Sequence, residues 1–278
     1  MQTAAPIKLG AILRSAGIPI SSILSEALNI SKSCLGKNSK SETPTAIMTQ
    51  AAIMANFIAR MIRSGMAAVN GSVIRRPEQK FDENTAAVTL NGTPCSYRRF
   101  CYYLLDKPTG LITASRDSRQ ETVLDLFPPE IRKRGIAPVG RLDKDTSGLL
   151  LLTNDGEFAH RVISPRYAVS KVYHATVEQP LEAKDPERFQ SGLILADGTK
   201  CLPAELEILG ERTCLVTVQE GKYHQVRRML AAVGKPVVTL RRLSVGPLQV
   251  EPGPGIGRYR ELTEEELCIM FKMLGMEK

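Results

Sequence analysis

One carboxylate has a setting that could do chemistry. Residues 140–156 read Gly-Arg-Leu-Asp-Lys-Asp-Thr-Ser-Gly-Leu-Leu-Leu-Leu-Thr-Asn-Asp-Gly. A charged, glycine-flanked turn runs straight into an apolar run, Leu149 to Leu152, which predicts a short buried strand. Asn154-Asp155-Gly156 predicts a turn that sends the chain back. Asp143 therefore falls on a loop just before a strand. The strand would fix it and the loop would expose it, a suitable placement for a reacting group. A single ionised carboxylate so held can serve as nucleophile or as base. From the residues alone a cap or an ion-pair partner is the commoner use of an Asp in a polar turn.

Other segments carry groups that could complete such a site. Ser170 to Val177 alternates and is partly β-branched, which predicts a strand that carries Lys171 and Tyr173. Glu220-Gly221-Lys222-Tyr223-His224-Gln225-Val226-Arg227-Arg228 is a basic segment at a strand-to-helix junction. Gly221 ends the strand, and a helix is predicted from about His224 to Val233 with Gly234 as its stop. Arg241 and Arg242 lie on a further strand, Val237 to Leu243. Ala204 to Leu209 and Cys214 to Val218 are predicted to pair as a hairpin. Asp185-Pro186 reads as the cap and first turn of a helix, and Thr263-Glu264-Glu265-Glu266 as a capping box that opens a C-terminal helix.

The 278 residues suffice for one large domain, or a small one plus a larger one. A net charge of +8 favours a polyanionic partner, either nucleic acid or an anionic surface. No apolar run approaches a membrane span, and residues 7–30 are too interrupted for a signal-peptide core. The six cysteines form no Cys-x-x-Cys and have no zinc-like spacing with the three histidines. They are expected to be free thiols of a cytoplasmic protein. Neither a metal nor a cofactor is expected.

Gly140-Arg141-Leu142-Asp143 with Thr146-Ser147-Gly148-Leu149 to Gly156 resembles the signature of the bacterial ribosomal RNA pseudouridine synthases of the RsuA family. The likeness runs from about Leu104 to the C-terminus. It implies that Asp143 is the catalytic carboxylate. Lys171-Val172-Tyr173 resembles the family's second motif, which makes Tyr173 the residue that stacks on the target base. The segment around Lys222 resembles the third motif, in which Arg227 would ion-pair with Asp143. Arg141, Lys222, His224, Gln225 and Arg228 would then contact RNA, chiefly its phosphates. Asp106-Lys107-Pro108-Thr109-Gly110 resembles the turn at the start of the catalytic domain. An extruded uridine would need one aromatic surface to hold it, which Tyr173 supplies.

Before this region, a helix from Gln50 with Ile53, Phe57, Ile58, Met61 and Ile62 on one face ends at Gly65. The hairpin Ala68-Val69-Asn70-Gly71-Ser72-Val73-Ile74 and a strand at Val88 to Leu90 follow. This order resembles the S4 RNA-binding module. The positions where that module carries its basic cluster are Met54, Ala55 and Asn56 here, so Arg60, Arg63, Arg75 and Arg76 are the replacements for phosphate contact. Residues 1–20 suggest a short helix, and residues 20–50 form an insertion relative to the module.

The resulting expectation is an α+β protein. Residues 1–94 would form an atypical S4-like module. Residues 95–278 would form a pseudouridine synthase domain with a central, mostly antiparallel sheet flanked by helices, and 94–101 a linker. Its expected substrate is a uridine of 16S ribosomal RNA, free or in an assembling subunit, and its expected state a monomer. Three alternatives stay open: a 23S target, a non-catalytic RNA-binding protein, and a glycoside hydrolase that pairs Asp143 with Asp145 or Asp155. A sugar cleft is usually rich in aromatics, and this chain has no Trp and 5% aromatic residues.

Overall fold

The fold is that of a computed structural model, which describes residues 7–9, 50–82, 86–95, 98–250 and 256–277. The expected helix within residues 1–20 and the 20–50 insertion lie outside the described residues. The chain divides into two compact units at Arg99–Phe100.

In the first unit, β1 (Ile7–Lys8) pairs antiparallel with β4 (Lys80–Phe81). Helix α1 (Gln50–Arg63) precedes β2 (Ala67–Val69) and β3 (Ser72–Ile74), which are joined at Asn70-Gly71. Both turn residues have positive φ, 50° and 79°, which Asn and Gly tolerate and most residues do not. β5 (Val88–Leu90) and β6 (Thr93–Cys95) complete a sheet of order β3-β2-β5-β6. Ile58, Met61 and Ile62 of α1 pack on Ala67, Val69, Val88 and Leu90, as the helical spacing required. The expected linker at 94–101 begins later than its composition suggested. Asn91-Gly92 makes a second hairpin turn, so residues 93–95 pair with β5 despite Pro94. β6 is an edge strand, where a missing N–H donor is tolerated.

The second unit is built on a nine-stranded sheet. Its elements in order are β7 (Tyr102–Lys107), α2 (Pro129–Arg132), β8 (Ala137–Pro138), β9 (Thr146–Thr153), α3 (Gly156–Ile163), β10 (Lys171–Val177), α4 (Asp185–Gln190), β11 (Glu205–Gly210), β12 (Thr213–Val218), α5 (Gln225–Ala232), β13 (Val237–Val245), β14 (Leu248–Gln249), β15 (Tyr259–Glu261) and α6 (Glu264–Met273). The main path runs β11-β12-β10-β13-β9-β7-β15, with β14 on β13 and β8 on β9. Every pairing is antiparallel except β13 with β9. The α+β class and the mostly antiparallel sheet are as expected.

β9 is the central strand of the site. Leu149, Leu150, Leu151 and Leu152 are all buried, and they face two different cores by alternation. Each such burial contributes about 1.5–3 kcal/mol. Gly148 is required here. Its φ is +104°, and a Cβ on it would lie 2.1 Å from the Arg242 carbonyl oxygen. Only glycine lets β9 and β13 approach in the register Gly148↔Arg242.

Two local expectations are corrected. Asn154-Asp155-Gly156 does not fold back as a hairpin. Asp155 caps α3 by accepting from Glu157 N and Phe158 N, and it also accepts from the buried Tyr102 hydroxyl at 2.7 Å. Asp185 is the first residue of α4 rather than its cap. It is fully buried and accepts from Glu182 N at 2.9 Å. The capping box at Thr263 and Glu266 forms as expected. Cys95, Cys101, Cys201 and Cys214 are buried free thiols, and Cys268 is exposed. Among the described residues no helix is long and apolar enough to cross a membrane.

Candidate active site

A cavity of about 370 Å³ opens in the second unit, lined by residues of the 139–146 loop, β10, β13 and the 220–226 junction. Asp143, Arg141, Tyr173, Lys222, His224 and Gln225 all line it. Residues far apart in the chain thus meet at one place. Arg227 and Arg228 are next to this wall but do not line the cavity. Arg60, Arg63, Arg75 and Arg76 are exposed on the first unit. Arg75 is held there in part by donating to Arg63 O at 3.3 Å.

The Asp143 loop is tied from below by a buried lysine. Lys107 is fully buried at the end of β7, and its Nζ donates to Pro108 O at 2.9 Å, Asp143 O at 3.1 Å, Thr146 O at 2.9 Å and Lys144 O at 3.4 Å. Burial pulls the Lys107 ammonium down to about 8, against the raising charges of Asp145 and Asp143, and Arg242 adds to the lowering. Thr113 Oγ1 bonds both backbone groups of Leu142, donating to O at 2.7 Å and accepting from N at 3.2 Å. Gly110 N donates to Lys144 O at 2.8 Å. These contacts fix the backbone of Asp143 while its side chain stays 27% exposed.

Asp143 Oδ1 lies 3.2 Å from His224 Nε2. Arg227, expected on Asp143, instead places Nη2 2.8 Å from Asp145 Oδ2 and 3.3 Å from Asp145 O. Its Nε is buried without a partner. The difference follows from the helix. His224 is the N-cap of α5 in a left-handed conformation, φ 48° and ψ 33°, which brings its ring onto Asp143. Arg227 lies within the helix and reaches the next carboxylate of the loop. Tyr223 stacks on His224, with ring centres 3.9 Å apart and 17° between planes, and is 73% exposed at the rim.

Gln225 was expected to contact RNA, but its amide is already engaged. It accepts from Lys222 N at 2.9 Å and donates to Glu220 Oε1 at 2.7 Å. Lys222 is ion-paired with Glu220, and Arg228 with Asp197 at 2.5 Å. Bonds to Arg228 help hold the Asp197 carboxyl down to about 2, after the larger contributions of Thr199.

Tyr173 is half-buried on β10, opposite Arg242 of β13 in the strand register. The Arg242 guanidinium lies 5.9 Å from the Tyr173 ring centre, and its Nη1 lies 3.4 Å from the hydroxyl. Arg242 Nε donates to Leu149 O at 2.7 Å. Arg241, one residue earlier, points to the other face and pairs with Asp106 at 2.8 Å. Lys171 is buried in the cavity wall, and burial, with Arg242's charge, pulls its ammonium down to about 8. Lys107, Thr113, Tyr223 and Arg242 were not singled out as site residues from the sequence. Strand alternation alone would have separated Arg241 from Arg242.

The carboxylate pair of a glycoside hydrolase is not assembled. Asp155 is a buried helix cap, and Asp145 is bound by Arg227. The geometry instead offers one accessible carboxylate in a cationic, apolar-walled pocket that Tyr173 and Tyr223 also line.

Comparison with known proteins agrees with that arrangement. Residues 101–232 match the family described as RNA pseudouridylate synthase. A Bacillus subtilis protein named an uncharacterised RNA pseudouridine synthase is 42% identical over 76% of this chain and 90% of its own length. The chain belongs to the RsuA family of pseudouridine synthases. The Escherichia coli ribosomal small subunit pseudouridine synthase A is 36% identical over 80% of this chain and 96% of its own. A crystal structure titled pseudouridylate synthase superposes with a TM-score of 0.59 at 29% identity, covering 78% of this chain and 93% of that one. The protein is therefore an isomerase that converts uridine to pseudouridine in RNA.

Proposed function

We propose that the enzyme isomerises one uridine of ribosomal RNA, in the small-subunit 16S molecule, and that Asp143 is the carboxylate that does it. The reaction breaks the C1′–N1 bond, turns the base and rejoins it through C5. Asp143 either attacks C1′ or takes the C2′ proton. The observation that carries this reading is Asp143 itself: its backbone is fixed by Lys107 and Thr113, and its side chain lines the same cavity as Tyr173. The extruded base stacks on Tyr173. Arg227 rests on Asp145, two residues along the same loop, and moves to Asp143 when RNA binds. Exposed Arg141 binds phosphate, and Lys222 and Arg228 do so once RNA displaces Glu220 and Asp197. His224 meets the RNA from its place on Asp143, while Gln225 shapes the turn that carries Lys222 and His224.

The first unit is an atypical S4-like module, residues 1–94, that uses Arg60, Arg63, Arg75 and Arg76 on phosphates, and residues 95–278 are the catalytic domain. Its helix, Asn-Gly hairpin and apolar core support that reading. The enzyme acts as a cytoplasmic monomer on free RNA or an assembling subunit. The relatives named for the ribosomal small subunit support the 16S target.

The test is carbodiimide and primer-extension mapping of pseudouridine in both ribosomal RNAs, from cells that carry the native chain or Asp143→Asn. Loss of one 16S site in the variant is the expected result. Loss of a 23S site would move the target, and identical maps with folded variant present would remove Asp143 as the catalyst.

A further inference from the structure

Lys171 and Arg242 are buried cations of the cavity wall that no carboxylate answers. Lys171 is 8% exposed and Arg242 4%. Lys171 Nζ donates to Val169 O at 2.9 Å, which leaves two of its three N–H donors uncommitted. Among the described residues no carboxylate lies within ion-pair distance of either. The neighbouring cations differ: Lys222 holds Glu220, Arg227 holds Asp145, and Arg228 holds Asp197. Keeping a buried charge without a counter-charge is unfavourable, yet the fold does so on adjacent strands, β10 and β13. A negative charge that exists only while substrate is in the cavity would explain it.

The isomerisation makes such a charge. When C1′–N1 breaks, the bonding pair leaves with N1, and the detached uracil is an anion with its charge spread over N1, O2 and O4. If Asp143 attacks, its oxygen bonds to C1′ as N1 leaves, and C5 later displaces that oxygen. If Asp143 takes the C2′ proton, a C1′–C2′ double bond forms as N1 leaves, and C2′ regains a proton as C5 bonds to C1′. On both routes C5 then loses its proton and N1 gains one, so the product is an isomer. The anion in between is the species that needs help. Val139, Leu151, Val218, Leu240 and Val245 around the two cations suit a flat ring better than a hydrated phosphate.

We infer that Lys171, backed by Arg242, stabilises the detached uracil anion by donating from its ammonium to a ring carbonyl oxygen. This is preorganised stabilisation of developing charge. The inference rests on the reading of this cavity as the place where uridine reacts.

The experiment uses full-length protein and two transcripts of small-subunit ribosomal RNA under single-turnover conditions. One carries uridine tritiated at C5, and tritium release reports the new carbon–carbon bond. The other carries 5-fluorouridine, whose base leaves as an intrinsically more stable anion, and loss of the intact nucleoside after nuclease digestion reports cleavage. Lys171→Met is expected to slow the uridine reaction about 100-fold or more. It should slow the fluorinated one by about 10-fold or less and leave RNA affinity within about threefold. Lys171→Arg should recover much of the rate. The ratio between the two RNAs is independent of how much of the variant is folded. Native rates, or equal losses on both RNAs, would overturn the inference. Asp143→Asn separates the two levels. If it reacts at the native rate, the cavity is not the reaction site, and both the reading and the inference fall. If it is inert while Lys171→Met is native, the inference falls alone.

Discussion

The imidazole of His224 rests on Asp143, with Nε2 3.2 Å from Oδ1, on a backbone that is left-handed at that one residue. A non-glycine residue in that region carries roughly 1–2 kcal/mol of strain. The turn is held by Gln225, whose amide ties Lys222 N to Glu220. Asn tolerates left-handed backbone but is too short to keep the contact. His224→Asn should therefore leave the urea unfolding free energy within about 0.5 kcal/mol. It should lower the single-turnover rate about 10- to 100-fold through looser placement of the carboxylate. A rate equal to native would show that the contact does not position Asp143.

Arg227 and Asp145 make a different prediction. Asp145 is 68% exposed, so its resting ion pair contributes at most about 1 kcal/mol. Asp145→Asn should change turnover by no more than about threefold. Arg227→Met should lower it about 100-fold if the guanidinium moves to Asp143 when RNA binds. Equal and small effects in both variants, measured by tritium release, would confine Arg227 to its surface pair.

Gly148→Ala tests the close approach of β9 and β13. The added Cβ would sit 2.1 Å from the Arg242 carbonyl oxygen, and both atoms belong to the sheet. Loss of about 3 kcal/mol or more in urea unfolding is expected, well above an ordinary surface substitution. A stability near that of the native chain would mean that the strands can separate without loss.

Activity and stability should respond to alkaline pH in opposite directions. Lys107 and Lys171 each have an ammonium pulled from 10.5 to about 8 by burial. Below about 8 both are charged, and the loop carbonyls and the cavity keep their donors. Above it the rate should fall as the ammonium groups become amines. For stability the sign reverses. Between about 8 and 10.5 the unfolded chain binds protons that the folded chain does not, so the contribution of these two groups to the unfolding free energy rises with pH. A pH–rate profile with a basic limb near 8, beside urea curves whose midpoint does not fall through the same limb, is the expected pair of results.

The motif from Gly140 to Gly156 made the position of Asp143 readable because strand, turn and loop signals lie within a few residues of it. The strand at Lys171 to Val177 was readable by alternation and that at Leu149 to Leu152 as an apolar run, and α1 and α5 were readable by their apolar face and their stop. What escaped has partners remote in the chain. Lys107 read as part of a turn because the Asp143, Lys144 and Thr146 carbonyls it holds are 36 to 39 residues away. Arg227 was assigned to Asp143 by resemblance, and no spacing rule encodes the left-handed step at His224 that gives that place to the imidazole. Tyr259 to Glu261 has too short an apolar pattern to announce a strand, and only pairing with β7 makes it one.

The parallel pairing of β9 with β13 also sets an order in time. Asp143 and its loop leave the ribosome early in synthesis of the catalytic unit. The His224 turn, then Arg242, follow much later, and β15 must still close on β7. Long-range pairings of this kind form slowly and late. A growing chain therefore displays its carboxylate, with Lys107 and Arg141, before it has Lys171, Lys222, Arg242 or the aromatic wall that complete the cavity. The cavity around Asp143 is complete only when nearly all of the sheet has been delivered.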